Sequence, residues 1–91
     1  MAGATGPVAA ILRAKLDAAF APEHLEVRDE SERHRGHAGW REGGETHFRV
    51  VMRSARFEGM SRVDRSRAVH AVLREELADR VHALALELSA A

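Results

Sequence analysis

The spacing of apolar residues switches between two periods along this chain, and that succession limits the fold more than any other feature. Val8, Ile11, Leu12, Leu16, Ala19 and Phe20 recur three and four apart, one stripe of an amphipathic helix. Pro7 suits the first helical position, where a missing N–H costs nothing. Ala21-Pro22 ends the helix, because proline disfavours the helical conformation in the residue before it. From His24 to Asp29 the period becomes two, with Leu25 and Val27 on one side and Glu26 and Arg28 on the other. A second such run spans Thr46 to Arg53, with Phe48, Val50 and Met52 opposed to His47, Arg49 and Val51. Ser61-Arg62-Val63-Asp64 has the form of a capping box. The helix it opens carries Val69, Val72, Leu73 and Leu77 and ends between Ala78 and Arg80. A third strand follows from Val81 to Leu88, with His82, Leu84, Leu86 and Leu88 on one side and Ala83 and Ala85 on the other.

The order helix, strand, strand, helix, strand predicts an α+β domain in which helices cover one face of a three-stranded sheet. Its 91 residues suffice for one domain, with a core from about residue 7 to 89. Ile11, Leu12, Leu16, Phe48, Val50, Val69, Leu73, Leu84 and Leu86 are the expected core. Between the first two strands lies SERHRGHAGWREGG, residues 31–44, far longer than the ~2–5 residues of an ordinary hairpin loop. It holds four of the seven glycines, two histidines and the only tryptophan. Glycines cost entropy to order and few apolar groups there offset it, so residues 32–44 are expected to be the most mobile internal segment.

Several function classes drop out. Formal net charge is zero, against a strongly basic nucleic-acid or membrane binder. There is no cysteine, hence no disulfide, thiol nucleophile or zinc ribbon. No run approaches the ~20 apolar residues that span a bilayer, and the first 20 residues lack a secretory signal's pattern. A cytoplasmic protein is the resulting expectation. No phosphate-cradling glycine loop, Ser-His-Asp arrangement or carboxylate pair suggests an enzyme.

Histidines and arginines remain. His34 and His37 lie three apart in the loop, His47 opens the second strand, and His82 opens the third. Imidazole is the commonest metal ligand. By itself, though, a loop HxxH reads as readily as solvated side chains, and His82 as a hydrogen-bonded histidine at a strand end. His47 and His70 read as structural. Trp40 is an interface anchor or a cover for part of the core. From Arg49 to Arg67 there are six arginines against Glu58 and Asp64. Arg62 and Arg65, with Arg67 beside them, stand near a helix start where phosphates could be met, or form a solvated helix face.

Three blocks, LEVRDES (Leu25 to Ser31), ETHFRVVMRSARFEGMSRVDRSRAVH (Glu45 to His70) and VHALALEL (Val81 to Leu88), together resemble the BolA family, in family order and spacing from about Val8 to Leu88. The resemblance implies a helix–strand–strand–helix–helix–strand arrangement similar to the class II KH fold, adding a short helical turn within Ser61 to Arg67. It also implies a partner, a monothiol glutaredoxin, with which such proteins hold a bridging 2Fe–2S cluster. In that arrangement the chain would supply His82 of the VHALAL block and one loop histidine. His37 matches better counted back from ETHF, and His34 counted on from DES; His37 is taken, with His34 as the alternative. Two imidazoles can replace two thiolates on one iron. The glutaredoxin cysteine and a glutathione thiolate would hold the other. Only neutral imidazole ligates, so this half of the site should weaken as pH falls. Some bacterial BolA-like proteins are also described as transcriptional regulators. The GxxG loop of KH domains is absent here, with Gly59 alone near its place, so DNA binding through Arg62, Arg65 and Arg67 is the second choice. A second copy of the chain is a further expected partner when the protein is alone.

Overall fold

The computed structural model describes residues 6–31 and 44–90. Helix α1 (Pro7–Phe20) leads into strand β1 (His24–Asp29); β2 (His47–Arg53) follows, then a single 3-10 turn, Ala55–Phe57. Helices α2 (Arg62–Val72) and α3 (Arg74–Ala78) precede β3 (Ala83–Ser89). The sheet is mixed, in order β1-β2-β3: β1 runs antiparallel to β2, and β3 parallel. Among the described residues no helix is long and apolar enough to cross a membrane. The loop expected to be mobile lies, Gly44 apart, outside the described residues, and His34, His37 and Trp40 lie there with it.

The register explains the core. Val27 pairs with Val50, and Val50 with Leu86, so one row of side chains crosses all three strands toward the helices. Val27, Phe48, Val50 and Met52 are buried there with Ala9, Leu12, Leu16 and Phe20 of α1, Phe57, Val69, Leu73 and Val81. Leu84, Leu86 and Leu88 are half-buried against that cluster. Phe20 and Phe57 rings meet at 5.0 Å. The buried Ser54 hydroxyl donates to the Phe20 carbonyl at 2.6 Å, joining the end of α1 to the end of β2. Ala21, just before Pro22, closes α1 in the left-handed region, φ 43°.

Four expectations change. Ile11 is 44% exposed rather than in the core. The buried line on α1 runs Ala9, Leu12, Leu16, Phe20, and Ile11 stands about 100° around the helix from Leu12. The short turn expected within Ser61 to Arg67 is not there; α2 runs unbroken from Arg62, with the Ser61 hydroxyl accepting from Asp64 N at 3.1 Å. The short turn comes earlier, at Ala55–Phe57, where the Ser54 hydroxyl caps Arg56 N and Gly59 takes a φ of +78° that other residues avoid. The helix breaks instead at Leu73 (φ −102°, ψ 14°), a fully buried side chain drawn into the core. Finally, β2 begins at His47 and β3 at Ala83. Val81 N still bonds Glu76 O at 2.9 Å, so Val81 belongs to the close of α3. His82 stands at the entrance of β3 rather than within it.

Candidate metal centre at the base of the long loop

Residues 32–43 leave and rejoin the described fold at one tightly bonded spot. Asp29 carries it. One carboxylate oxygen accepts from Ser31 N at 2.9 Å and from the Ser31 hydroxyl at 2.5 Å; the other accepts from Glu45 N at 3.0 Å. The Ser31 hydroxyl oxygen in turn accepts from Thr46 N at 2.9 Å and His47 N at 3.2 Å. Ser31, Thr46 and His47 are all buried, so these bonds satisfy backbone donors that would otherwise be costly. On the far side, the Arg80 guanidinium donates twice to the Gly44 carbonyl. Glu45 follows in the left-handed region, φ 60°, and its carboxylate accepts from Ala9 N at 3.0 Å, capping α1 from outside the helix.

His82 is fastened to this base. Its N–H donates to the Thr46 carbonyl at 2.7 Å, a carbonyl shared with Ala83 N at 3.1 Å. Its side chain is exposed, and among the described residues the imidazole has no hydrogen bond; the histidine expected from the sequence alone to be hydrogen-bonded is open. What it has is a ring neighbour, the His47 imidazole at 5.3 Å between centroids and 52° between planes. His47 is 4% exposed, with Nδ1 2.9 Å from the Thr46 hydroxyl. The two rings meet because β2 and β3 run parallel with His47 opposite Ala83. Sequence reasoning took His47 as structural and missed its position beside His82. Counting the parallel register from the strand starts would have revealed it.

Among the described residues no three His, Cys, Asp or Glu side chains converge as a metal site. A metal at His82 therefore needs donors from residues 32–43 or from another molecule. The donor chemistry fits an iron held through nitrogen: an open imidazole, no thiol anywhere in the chain, and two further histidines on the segment anchored beside it.

The predicted arginines fall elsewhere. Arg62, Arg65 and Ser66 of α2 line a groove of about 640 Å³ with Val51, Leu86, Glu87, Leu88 and Ser89. Arg67 is outside that lining and lies 3.9 Å from Asp64. His24 bonds Glu26, and His70 Nδ1 sits 2.8 Å from the Ser66 carbonyl, so neither shares the His82 site.

With this geometry in view, the likenesses to other proteins are informative. A family model described as BolA-like protein matches residues 16–91. BolA-like protein 1 of Homo sapiens is 55% identical over 85 residues, 93% of this chain and 59% of its own length. The chain thus spans about three fifths of the length of these BolA-like protein 1 relatives. The DNA-binding transcriptional regulator BolA of Escherichia coli (strain K12) is 51% identical over 72 residues, 79% of this chain and 65% of that one. Among solved structures, the BolA domain of SufE1 from Arabidopsis thaliana superposes with a TM-score of 0.86 at 37% identity, covering 96% of this chain and 95% of the other. The three helices and the mixed three-stranded sheet match those of BolA domain structures, and the chain belongs to the BolA family.

Proposed function

We propose that this BolA-family chain is a non-enzymatic partner of a monothiol glutaredoxin, with which it shares a bridging 2Fe–2S cluster in iron–sulfur trafficking or iron regulation. The observation that carries the reading is His82: an open imidazole whose backbone N–H is bonded to the carbonyl of Thr46, the residue whose own N–H bonds Ser31 at the base of the histidine-bearing loop. The strand entrance fixes where His82 stands. His37, or His34 in the alternative register, would come from the loop to the same iron, and thiolates from glutaredoxin and glutathione would hold the other. The cluster is cargo, supplying electron-transfer and sulfur-donor chemistry wherever it is delivered; this chain's residues position it and limit its exchange. Co-expression with a monothiol glutaredoxin tests the reading. A coloured heterodimer with a 2Fe–2S visible spectrum is expected; two colourless proteins that do not associate would contradict it.

A second reading rests on the groove beside α2. Arg62 and Arg65 stand together there, and the Escherichia coli relative is named as DNA-binding. Each phosphate neutralised would add about 0.9 to the log–log salt slope. Weak binding without sequence preference is expected, with a flatter slope in the Arg62→Ala/Arg65→Ala variant. Tight preference for one DNA sequence at physiological salt would promote this reading over the first.

A further inference from the structure

The two edges of the sheet are built differently. On β1, His24 and Arg28 flank Glu26, at 2.7 and 2.6 Å, and this row of paired charges discourages another strand from adding. The edge strand β3 reads ALALELS, and its one charge, Glu87, is turned to Arg49 at 3.0 Å. Ala83 N bonds Thr46 O and Ser89 O accepts from Ser54 N. In a parallel ladder that phase turns residues 83, 85, 87 and 89 toward β2 and leaves the N–H and C=O of Leu84, Leu86 and Leu88 facing outward. Among the described residues those outward groups have no backbone partner.

The groove runs along the second half of this open edge. Its apolar lining is Val51, Leu86 and Leu88. Its cations come from α2. Arg65 is held, with Nε donating to the Met60 carbonyl at 3.0 Å and the guanidinium 5.9 Å from the Phe57 ring. Arg62 is exposed and, among the described residues, has neither ion pair nor hydrogen bond. Glu87 is already answered by Arg49, so the net charge presented is positive. No aromatic side chain lines the groove to stack a base.

We infer that the β3 edge and the Arg62–Arg65 groove form a docking surface for an extended acidic peptide segment of a partner protein, which adds to β3 as a fourth strand. Main-chain bonds to Leu84, Leu86 and Leu88 supply affinity, the apolar floor takes alternate side chains, and the two arginines select acidic residues at the Ser89 end. The surface is argued from groups other than His82. His82 precedes β3, and the strand residues of the groove, Leu86 to Ser89, lie about 13 to 23 Å along an extended strand from it.

The test is a titration of the isotope-labelled chain with the peptide acetyl-EVDVEVD-amide, followed by amide resonances and hydrogen exchange. Binding is expected to shift Arg62, Arg65 and Ser66 and to slow exchange at Leu84, Leu86 and Leu88. Methylating alternate peptide nitrogens, in one of the two phases, should abolish it. The lysine counterpart acetyl-KVTVKVK-amide should not bind, and Arg62→Glu should weaken the acidic peptide about fivefold, the weight of one exposed ion pair. Leaving Arg65 in place keeps its bonds to the fold intact. The inference is overturned by unchanged exchange at the three leucines, by indifference to methylation, by tighter binding of a short oligothymidylate to the same residues, or by protection of those amides through self-association without peptide.

Discussion

Glu45 shows how much one side chain can hold. Helix α1 has no capping side chain of its own, since Gly6 precedes Pro7, and no acid in its first turn. Glu45 reaches across from the end of the long loop to fill that role at Ala9 N. The fit requires Gly6, because a Cβ there would fall 2.2 Å from the Glu45 carboxylate. Glu45→Ala should therefore cost about 1 kcal/mol, the usual worth of a lost cap. Gly6→Ala should cost a similar amount by displacing the same carboxylate, and the double variant little more than either alone. Chemical denaturation of the four proteins measures this; full additivity would show that the two residues act separately. His47 is the other residue on which the loop base depends. Its ring is buried between Thr46 and His82, so His47→Ala should destabilise the fold by about 1–3 kcal/mol. A thermal melt unchanged by that substitution would contradict the packing described. At this scale His82 was legible only as a candidate ligand, because its block carried a resemblance. The partners of Asp29, Ser31 and Glu45 were not, since bonds between residues 15 to 36 apart leave no periodic mark in a sequence.

Elements were legible wherever one period held. The α1 stripe apart from Ile11, both β1 and β2 alternations and the leucine row of β3 stand where the apolar spacing puts them, to within two residues at their ends. What could not be read was where a helix stops for tertiary reasons. Val69, Val72, Leu73 and Leu77 keep a helical spacing across the break at Leu73, so the pattern cannot show it. The break has a consequence. It sets Glu75 and Glu76 of α3 against Lys15 of α1, both at 2.8 Å. The hydrogen bond from Lys15 holds the Glu75 carboxyl below its ordinary range, and the same contacts with Glu75 and then Glu76 raise Lys15 above its own. A depressed carboxyl favours the folded state above its unfolded pKa, and that contribution fades as pH falls through the folded value. In Lys15→Gln, the Glu75 carboxyl should titrate nearer its ordinary value, and α3 amides should exchange faster at neutral pH. Carboxyl titration by nuclear magnetic resonance reads the first; a Glu75 midpoint unmoved by the substitution would rule out the pair. Glu75 is well exposed and Lys15 half-buried, so the pair is largely screened and global stability should change little.

As a whole, the molecule is a small sheet with its two candidate sites at opposite ends of one strand. The loop base, His47 and His82 gather where β3 enters, and the arginine groove lies where it leaves. The parallel pairing of β2 and β3 produces this polarity, by returning the chain through α2 and α3 to the side of the sheet from which the loop departs. That arrangement gives the cluster proposal its sharpest test. His82 adds little to the core, being exposed and bonded to the fold through its backbone, so His82→Ala should leave the melting temperature and the association with glutaredoxin close to those of the parent. The measurement is the visible circular dichroism of the complex of the variant with a monothiol glutaredoxin, reconstituted with iron and sulfide. The account predicts that the bands of the shared 2Fe–2S cluster are lost in His82→Ala, altered in His37→Ala more than in His34→Ala, and unchanged in His24→Ala and His70→Ala. An unchanged cluster spectrum in a folded His82→Ala complex would contradict it.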